Sequence, residues 1–554
     1  MTKLREIIKQ AVKDLFNEDV EPELTRPEEQ FGDYSTNIAM QLGAKLGKPP
    51  REIAEAMVNK LRGVEMLAKT EVASPGFINF WLSDKALLAS LERHPAKTHE
   101  GQTIVVEYSD PNPFKVLHVG HLYTSVVGDA IANLFEAAGA KVARVNFGGD
   151  VGLHVAKTMW AVLNKLGGEY PEKLTVIAKD QGPEWLADCY VEGNEAYEKN
   201  TDAKAQIVEL NKRIYQIVEH QDKDSALAKI YWVARDWSYK YFEAFYKSIG
   251  SRFDRFYPES ETAEPGLRTV RENIGKVFEE SEGAVVFKGE VHNMHTRVFI
   301  NSEGLPTYET KDVGLILKKW EDYHFDRSII ITGNEIYEYM QVVLKAIEQI
   351  EPELAKKTTH ITHGMVKPAS GVKMSSRLGN IIEARDVLTA ADEANEKING
   401  QKNYEVALGA VKYAFLKNRI GADMIFDPAE SVSLQGNSGP YLQYAYVRAK
   451  SILGKSQDVD SRHKTVDRLE ADERSLARKI SEFPEVVEQA TAELLPSHIC
   501  TYLYELAQTF NRFYEKNRVI GSEREIDRLT LLSAYIGTLE KGLGLLNIAA
   551  PEKM

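Results

Sequence analysis

Cysteine is almost absent from this chain of 554 residues, which contains only Cys189 and Cys500. Two thiols so far apart cannot supply the four ligands of a structural zinc site, and a disulfide is not expected in a reducing compartment. We therefore expect neither zinc nor a disulfide framework, and we interpret both cysteines as packed thiols.

Long apolar runs are also missing: no stretch of 18 consecutive apolar residues occurs, and a membrane-spanning helix needs about that length. Residues 1–16 mix charges of both signs with apolar positions at helical spacing. This pattern predicts an amphipathic helix and not a signal peptide. The protein is therefore expected in the cytosol, with no membrane partner.

Positive charge is in deficit, because 69 Lys and Arg face 82 Asp and Glu and give a net charge of −13. Indiscriminate binding of nucleic acid is disfavoured, since phosphate contacts require positive surface. A local basic stripe on an acidic protein still permits one RNA partner and helps to reject other polyanions.

The length predicts three or four domains. Residues 1–98 have the pattern of a small α+β domain, and residues 99–395 that of an α/β core with a mostly helical insertion at about 155–250. Residues 396–554 contain long helical segments, which predict an all-α helical bundle.

The core begins with a strand, a turn, a helix and a second strand. Residues 103–108 (TIVVEY) and 141–147 (KVARVNF) are β-branched, apolar runs, and the segment between them carries apolar residues at helical spacing. A βαβ unit of this kind implies a parallel sheet with a right-handed crossover. Further apolar runs occur at residues 284–287, 296–300 and 328–332.

The turn after the first strand contains residues 118–121 (HVGH). Ligands of open parallel sheets bind beyond the carboxyl ends of the strands, where helix N-termini favour phosphate. Gly120 permits close approach of a ligand, and the imidazoles of His118 and His121 can donate hydrogen bonds to phosphate oxygens. The turn lacks GxGxxG, and no GxxxxGK[ST] motif is present, which disfavours hydride transfer and P-loop chemistry.

A second motif, residues 373–377 (KMSSR), lies between Gly371 and Gly379 and precedes the helical tail. Small, polar and cationic residues of this kind suit a clamp on a polyphosphate leaving group.

HVGH together with KMSSR resembles the HIGH and KMSKS pair of class I aminoacyl-tRNA synthetases. Other segments resemble the arginyl-tRNA synthetase family in particular, over nearly the whole chain. These segments are 32–37 (GDYSTN), 74–79 (SPGFIN), 107–112 (EYSDPN) with Lys115, 148–152 (GGDVG), 308–313 (YETKDV), 438–445 (SGPYLQYA) and 550–554 (APEKM).

The resemblance implies a Rossmann-like, HUP-type catalytic core, an N-terminal domain that touches the tRNA elbow and a tail that binds the anticodon. It implies that the enzyme activates L-arginine with ATP, releases diphosphate and transfers arginine to the 2′-hydroxyl of the terminal adenosine of tRNA(Arg). Mg²⁺ would accompany ATP, adenylate formation would require bound tRNA, and the enzyme would act as a monomer.

The family's functional residues carry over position by position. The catalytic set would be Lys115, His118, Gly120, His121, Lys373 and Arg377. The arginine pocket would comprise Glu107, Asn112, Tyr308, Asp312 and Gln341, whose acids suit a planar, permanently charged guanidinium. ATP would contact His118, Gly120, His121, Lys373, Met374, Ser375 and Ser376.

In the tail, aromatic and basic residues between 502 and 518 suit recognition of single-stranded RNA. Most of these aromatics are nevertheless expected in the bundle core. The set is Tyr502, Tyr504, Phe510, Arg512, Phe513, Tyr514, Lys516 and Arg518.

Three positions depart from the family pattern: Val151 stands where Trp is usual, His154 where Gln is usual, and Glu338 where His is usual. These changes concern local ATP or arginine contacts and not the class. The alternatives are another class I synthetase, a tRNA-binding paralogue without activity, and a nucleotidyltransferase with an HxGH turn. Among the other class I synthetases, the cysteinyl type is disfavoured because its zinc ligands are missing. The inactive paralogue is disfavoured because both motifs are intact, and the nucleotidyltransferase because it would not explain the helical tail.

Overall fold

The computed structural model describes residues 2–178, 181–369, 382–456 and 468–554. The chain divides into two compact units. The first comprises Met1–Pro95, Ala445–Val486 and Tyr502–Lys541, and the second comprises Ala96–Tyr444, Val487–Thr501 and Gly542–Met554.

The N-terminal part of the first unit packs helices against a small antiparallel sheet with strand order β1-β3-β2. Its helices bury the apolar stripe that the sequence predicts, including Ile8, Leu42 and Met57. The elements are α1 (Thr2–Phe16), β1 (Tyr34–Thr36), α2 (Ile38–Leu46), α3 (Pro50–Lys60), β2 (Leu67–Ala73), β3 (Phe77–Leu82) and α4 (Asp84–Ala89).

The core of the second unit is a five-stranded, fully parallel sheet with strand order β11-β10-β4-β5-β6. Its strands are β4 (Thr103–Glu107), β5 (Lys141–Gly148), β6 (Arg255–Pro258), β10 (Arg327–Gly333) and β11 (Thr358–His363). Helix α5 (Val119–Ala137) links β4 to β5, so the predicted βαβ unit and parallel sheet are confirmed. The apolar runs at 284–287 and 296–300 instead contribute to a separate antiparallel sheet of β7 (Glu279–Ser281), β8 (Ala284–Phe287) and β9 (Arg297–Ile300).

Helices surround this sheet and fill the connection between β5 and β6. That connection consists of α6 (Leu153–Leu166), α7 (Gly182–Lys199), α8 (Thr201–Glu219) and α9 (Ala226–Ile249), which share one apolar core. The remaining helices of the α/β core are α10 (Glu259–Glu272), α11 (Tyr308–Tyr323), α12 (Tyr337–Ile350) and α13 (Pro352–Lys357).

The carboxyl-terminal part is helical, as predicted, apart from one short strand, β13 (Met424–Phe426), which pairs in parallel with β12 (Val366–Pro368). Its helices are α14 (Ala384–Asn399), α15 (Tyr404–Leu416), α16 (Pro428–Ser431), α17 (Gly439–Leu453), α18 (Ala471–Ser481), α19 (Phe483–Glu493), α20 (Ser497–Lys516) and α21 (Glu525–Leu545). None of the helices in the described ranges is long and apolar enough to cross a bilayer.

Within the first unit, one buried carboxylate joins the N-terminal sheet to α18. Asp33 Oδ2 accepts hydrogen bonds from the Leu82 amide at 2.7 Å and from Arg474 Nη2 at 2.5 Å. Arg478 Nε lies 3.6 Å from Asp33 Oδ1, and Arg474 also donates to Asp84 at 2.8 Å. Since Asp33 is buried, these partners take the place of water around its carboxylate.

We predict that Asp33→Ala lowers the stability of the first unit by about 2–3 kcal/mol, because Arg474 and the Leu82 amide lose a hydrogen-bond acceptor and Arg478 loses an ion-pair partner. Hydrogen exchange of the Leu82 amide and the thermal unfolding temperature would measure the loss. The control is Glu55→Ala, which removes an exposed pair with Arg51 worth about 0–0.5 kcal/mol. Equal unfolding temperatures for the two variants would contradict the prediction.

Candidate functional site

A cavity of about 500 Å³ opens at the carboxyl ends of the parallel strands of the second unit. Residues after β4, at the end of β5, at the end of β10 and at the end of β11 line it. This edge of a parallel sheet is where helix N-termini and loops converge on a ligand. Its volume suits small-molecule substrates.

The HVGH turn forms one side of the cavity and caps α5. His118 Nδ1 accepts a hydrogen bond from the Gly120 amide at 3.1 Å, and His121 Nδ1 accepts one from the His118 amide at 3.1 Å. A neutral imidazole that accepts at Nδ1 carries its proton on Nε2. Both histidines can therefore donate from Nε2 to an oxyanion.

Burial keeps both rings uncharged. It lowers the pKa of His118 to about 4, with a smaller contribution from the positive charge of Lys115. Burial likewise holds the pKa of His121 well below its usual range, aided by His118 and Lys115. Gly120 is required here, because a Cβ at this position would lie 2.8 Å from the His118 ring.

Lys115 lies beside the cavity and does not line it. Its Nζ lies 4.1 Å from the centre of the Tyr190 ring, on the helical insertion. The structure therefore places this predicted catalytic lysine near the two histidines, where its charge acts on their pKa values.

Another part of the cavity wall is acidic. Glu107, Asp312 and Glu259 are buried carboxyl groups that line it, and two of them have resident counter-ions. Glu107 pairs with the buried ammonium of Lys319, and Glu259 pairs with that of Lys311. Both lysines come from α11, which also carries Asp312.

Asp312 has no such ammonium partner among the described residues; its carboxylate accepts a hydrogen bond from the Tyr339 hydroxyl. Burial raises its pKa to about 8, and the nearby charges of Glu107 and Glu259 add to this rise, while the Tyr339 hydroxyl opposes it. A buried carboxyl of this kind gains most from a cationic ligand.

Two other predicted arginine contacts, Asn112 and Tyr308, also line the cavity. Asn112 Oδ1 accepts from the Gly149 amide at 2.8 Å, and Tyr308 is half-exposed at the start of α11. Gln341 lies on α12 directly after Tyr339 and Met340, which line the cavity, whereas Gln341 itself does not. The structure thus brings together four of the five predicted arginine-pocket residues.

Several lining residues are not among those that the sequence assigned to the site. They are Asp110, Glu259, Arg297, Glu335, Tyr339 and His363. Of these, Glu335 is exposed, and Arg297 lies 3.7 Å from the Glu309 carboxylate.

The KMSSR prediction, which covers Lys373, Met374, Ser375, Ser376 and Arg377, lies outside the described residues. The chain that follows it is described from Ile382 onwards. The Val119 amide donates to the Ile382 carbonyl at 2.9 Å, and the Ala384 amide donates to the Leu117 carbonyl at 2.9 Å. The segment after the motif is therefore hydrogen-bonded to the HVGH turn.

In the described ranges, no group of three or more His, Cys, Asp or Glu side chains is arranged to hold a metal ion. Cys189 and Cys500 are both buried thiols, and burial raises the pKa of Cys189 to about 12.

The described part of the cavity combines two kinds of groups. The histidines of the HVGH turn can donate hydrogen bonds to an anion, and the carboxylates can accept hydrogen bonds from an organic cation.

Three family models match the chain. They are "tRNA synthetases class I (R), catalytic domain" at residues 84–427, "DALR anticodon binding domain" at 442–554, and "Arginyl tRNA synthetase N terminal domain" at 2–82.

Among curated relatives, the arginine–tRNA ligase of Borreliella afzelii is 30% identical over 95% of this chain and 94% of its own. That of Bacteroides fragilis is 28% identical over 98% of each. The solved arginyl-tRNA synthetase of Thermus thermophilus is 25% identical, with a TM-score of 0.78 over 100% of both chains. The Plasmodium falciparum structure shares the fold, at 21% identity and a TM-score of 0.79 over 100% of this chain and 99% of its own.

We predict that a guanidinium ligand binds more tightly as the pH rises toward 8, because Asp312 must lose its proton to become the counter-charge. Below its pKa of about 8 the affinity should rise about tenfold per pH unit, and above that pKa it should level off. Calorimetry with L-arginine in buffers of different ionisation enthalpy would detect the release of about one proton near pH 6.5.

The matched control is Asp312→Asn, which preserves the size of the side chain but cannot ionise. It should bind L-arginine more weakly and release no proton at this site. If the variant and the unaltered protein released the same number of protons, Asp312 would not be the group that binds the cation.

Proposed function

Because the chain belongs to the arginyl-tRNA synthetases of class I, we propose that its cavity holds arginine on the Asp312 side and ATP on the HVGH side. The enzyme is an ATP-dependent ligase that activates L-arginine as the adenylate, releases diphosphate and transfers arginine to the 3′-terminal adenosine of tRNA. One observation supports placing arginine on the Asp312 side. The buried carboxyl of Asp312 lies beside two carboxylates that already have lysine partners.

The resident lysines leave part of the acidic side without a counter-ion. Lys311 and Lys319 pair with Glu259 and Glu107, whereas Asp312 and Asp110 have no ammonium partner among the described residues. The Asp312 carboxyl is the one proposed to accept the guanidinium. A guanidinium presents donors in a planar fork that a carboxylate accepts in pairs, whereas the ammonium of lysine is a compact point charge. A site of this kind rejects lysine by leaving acceptors unpaired, and the discrimination reaches about 10⁴-fold without editing.

His118 and His121 are proposed to bind the phosphates of ATP through Nε2. The arginine carboxylate attacks the α-phosphate in line while diphosphate leaves, and positioning with charge stabilisation supplies most of the catalysis. Uncharged imidazoles suit this role because they can donate hydrogen bonds to phosphate oxygens. Since they carry no positive charge, they do not form ion pairs with the carboxylates of the same cavity.

Residues 373–377 are proposed to hold the departing β- and γ-phosphates. Support comes from the segment that follows, since Ile382 and Ala384 are hydrogen-bonded to the HVGH turn. Mg²⁺ is proposed to arrive as the ATP complex, because it binds largely through phosphates and water in such sites.

The tail is proposed to bind the anticodon. Tyr502, Phe510 and Phe513 are buried in the helical core, as expected for most of these aromatics, and are not available to stack on bases. Tyr444 is exposed and borders a cavity of about 210 Å³ with Gln401 and Asn403. An exposed aromatic ring beside side-chain amides suits stacking and edge recognition of an RNA base.

The N-terminal domain is proposed to contact the tRNA elbow, as the family resemblance implies. Three statements stay predictions from the sequence. They are that the protein is a monomer, that it is located in the cytosol, and that it forms the adenylate only when tRNA is bound.

Arginine-dependent ATP–diphosphate exchange tests the proposal. We expect exchange only when L-arginine and cognate tRNA are both present, and none with L-lysine. Exchange with lysine at a comparable rate would refute the proposed pocket. Binding of tRNA without any exchange would favour the inactive paralogue.

We predict that His118→Asn lowers the kcat of this exchange about 100-fold, because it removes an oxyanion donor. Asparagine is a good helix N-cap, so the thermal unfolding temperature should not change. The control is Ser225→Asn, a substitution at the N-cap of α9 in the same unit that should leave kcat unchanged. Full activity of His118→Asn would remove His118 from the phosphate site.

A further inference from the structure

His154, one of the departures from the family pattern, lies buried in the first turn of α6 between two parts of the cavity wall. Its Nε2 is 2.7 Å from the Gly149 carbonyl oxygen, and its Nδ1 is 3.3 Å from the Tyr308 hydroxyl. Gly149 and Tyr308 both line the cavity, whereas His154 does not. The ring is thus placed behind the wall, in contact with two lining residues.

The chemistry of the partners fixes the direction of each hydrogen bond. A carbonyl oxygen only accepts, so the proton of His154 is on Nε2 and is donated to Gly149. Nδ1 of the neutral ring then has a lone pair and accepts from the Tyr308 hydroxyl. The ring stays neutral, because burial lowers its pKa to about 3, with further lowering by the charges of Lys115 and Lys311.

The same hydrogen bonds continue to Asn112 through the backbone of Gly149. The Gly149 amide donates to Asn112 Oδ1 at 2.8 Å, while its carbonyl accepts from His154. Asn112, Gly149, His154 and Tyr308 therefore form one chain of hydrogen bonds. The close approach requires a glycine, since a Cβ at position 149 would lie 2.6 Å from Asn112 Oδ1.

We propose that His154 is a positioning residue that sets the hydrogen-bonding polarity of Tyr308 and holds Gly149, whose amide in turn orients Asn112. Because the Tyr308 hydroxyl proton is donated to His154, the Tyr308 oxygen faces the substrate as an acceptor for a cationic N–H group. Because Asn112 Oδ1 is occupied by Gly149, the Asn112 amide offers Nδ2 as a donor to a substrate oxygen. The inference rests on the proposed function, in which both residues contact arginine.

Glutamine at position 154 has the same pair of functions. Its amide nitrogen would donate to the Gly149 carbonyl, and its amide oxygen would accept from the Tyr308 hydroxyl.

The test combines kinetics of arginine-dependent exchange with a double-mutant cycle. His154→Leu should raise the KM for arginine about 3- to 10-fold, as expected for the loss of one hydrogen bond, with a smaller change in kcat and in the KM for ATP. His154→Gln should recover most of this loss. In the Tyr308→Phe background, His154→Leu should add less than about a twofold change, because the hydroxyl is already absent.

The control is His99→Leu, which removes a histidine that hydrogen-bonds Gln102 and packs against Phe135 away from the cavity. It should leave both KM values unchanged. The inference would be overturned if His154→Leu had the same effect with and without the Tyr308 hydroxyl, or if it raised the KM for ATP as much as that for arginine.

A second measurement separates this inference from the assignment of the arginine pocket. Two-bond ¹H–¹⁵N correlation spectra of histidine-labelled protein should show His154 with a protonated Nε2 and an accepting Nδ1. Its signals are identified by their loss in His154→Gln, and Tyr308→Phe should shift Nδ1. If Tyr308→Phe leaves the KM for arginine unchanged but shifts Nδ1, the pocket assignment fails while the hydrogen bond stands. An unshifted Nδ1 refutes the positioning role.

Discussion

Several carboxyl groups share one buried space at the end of the parallel sheet, and their mutual repulsion is the constraint on which the site depends. Two like charges at close range in a poorly solvated space are costly, and each one requires a counter-ion or a proton. The protein supplies an ammonium to Glu107 and to Glu259, whereas the donor to Asp312 among the described residues is the Tyr339 hydroxyl. The two lysines thus offset the repulsion between Glu107 and Glu259 within the fold itself. A cationic substrate can then supply the positive charge that the Asp312 carboxyl lacks.

Helix α11 is the element that makes this arrangement possible, because both lysines and Asp312 lie on it. It approaches α10 closely at two glycines. A Cβ on Gly314 would lie 2.0 Å from the Thr262 carbonyl oxygen, and one on Gly266 would lie 2.0 Å from that of Thr310. Small residues let two helix backbones come this close, and the contact places Lys311 beside Glu259 at the start of α10. Helix packing and charge compensation are thus one feature of the fold.

Sequence patterns anticipated those parts of the site that are local in the chain. The βαβ unit and the HVGH turn could be predicted because strand, turn and helix follow one another and each has its own periodicity. Strands β6 (RFYP) and β11 (TTHITH) were missed, since neither is an apolar or alternating run. Glu259 and His363 follow or end these strands and were missed with them. Tyr339 and the pairing of Glu107 with Lys319 depend on contacts between distant segments, for which a single sequence carries no local signal.

The contact of Asp33 with α18 has a consequence for the order of events during synthesis. Asp33 and Arg474 are separated by 441 positions in the chain. At roughly 5–20 residues per second, a ribosome needs about 20–90 seconds to add that length. Throughout this interval the nascent N-terminal domain has a carboxylate at position 33 whose arginine partners have not yet been made. Its final packing is therefore completed only after Arg474 has been synthesised, long after the residues of the domain itself.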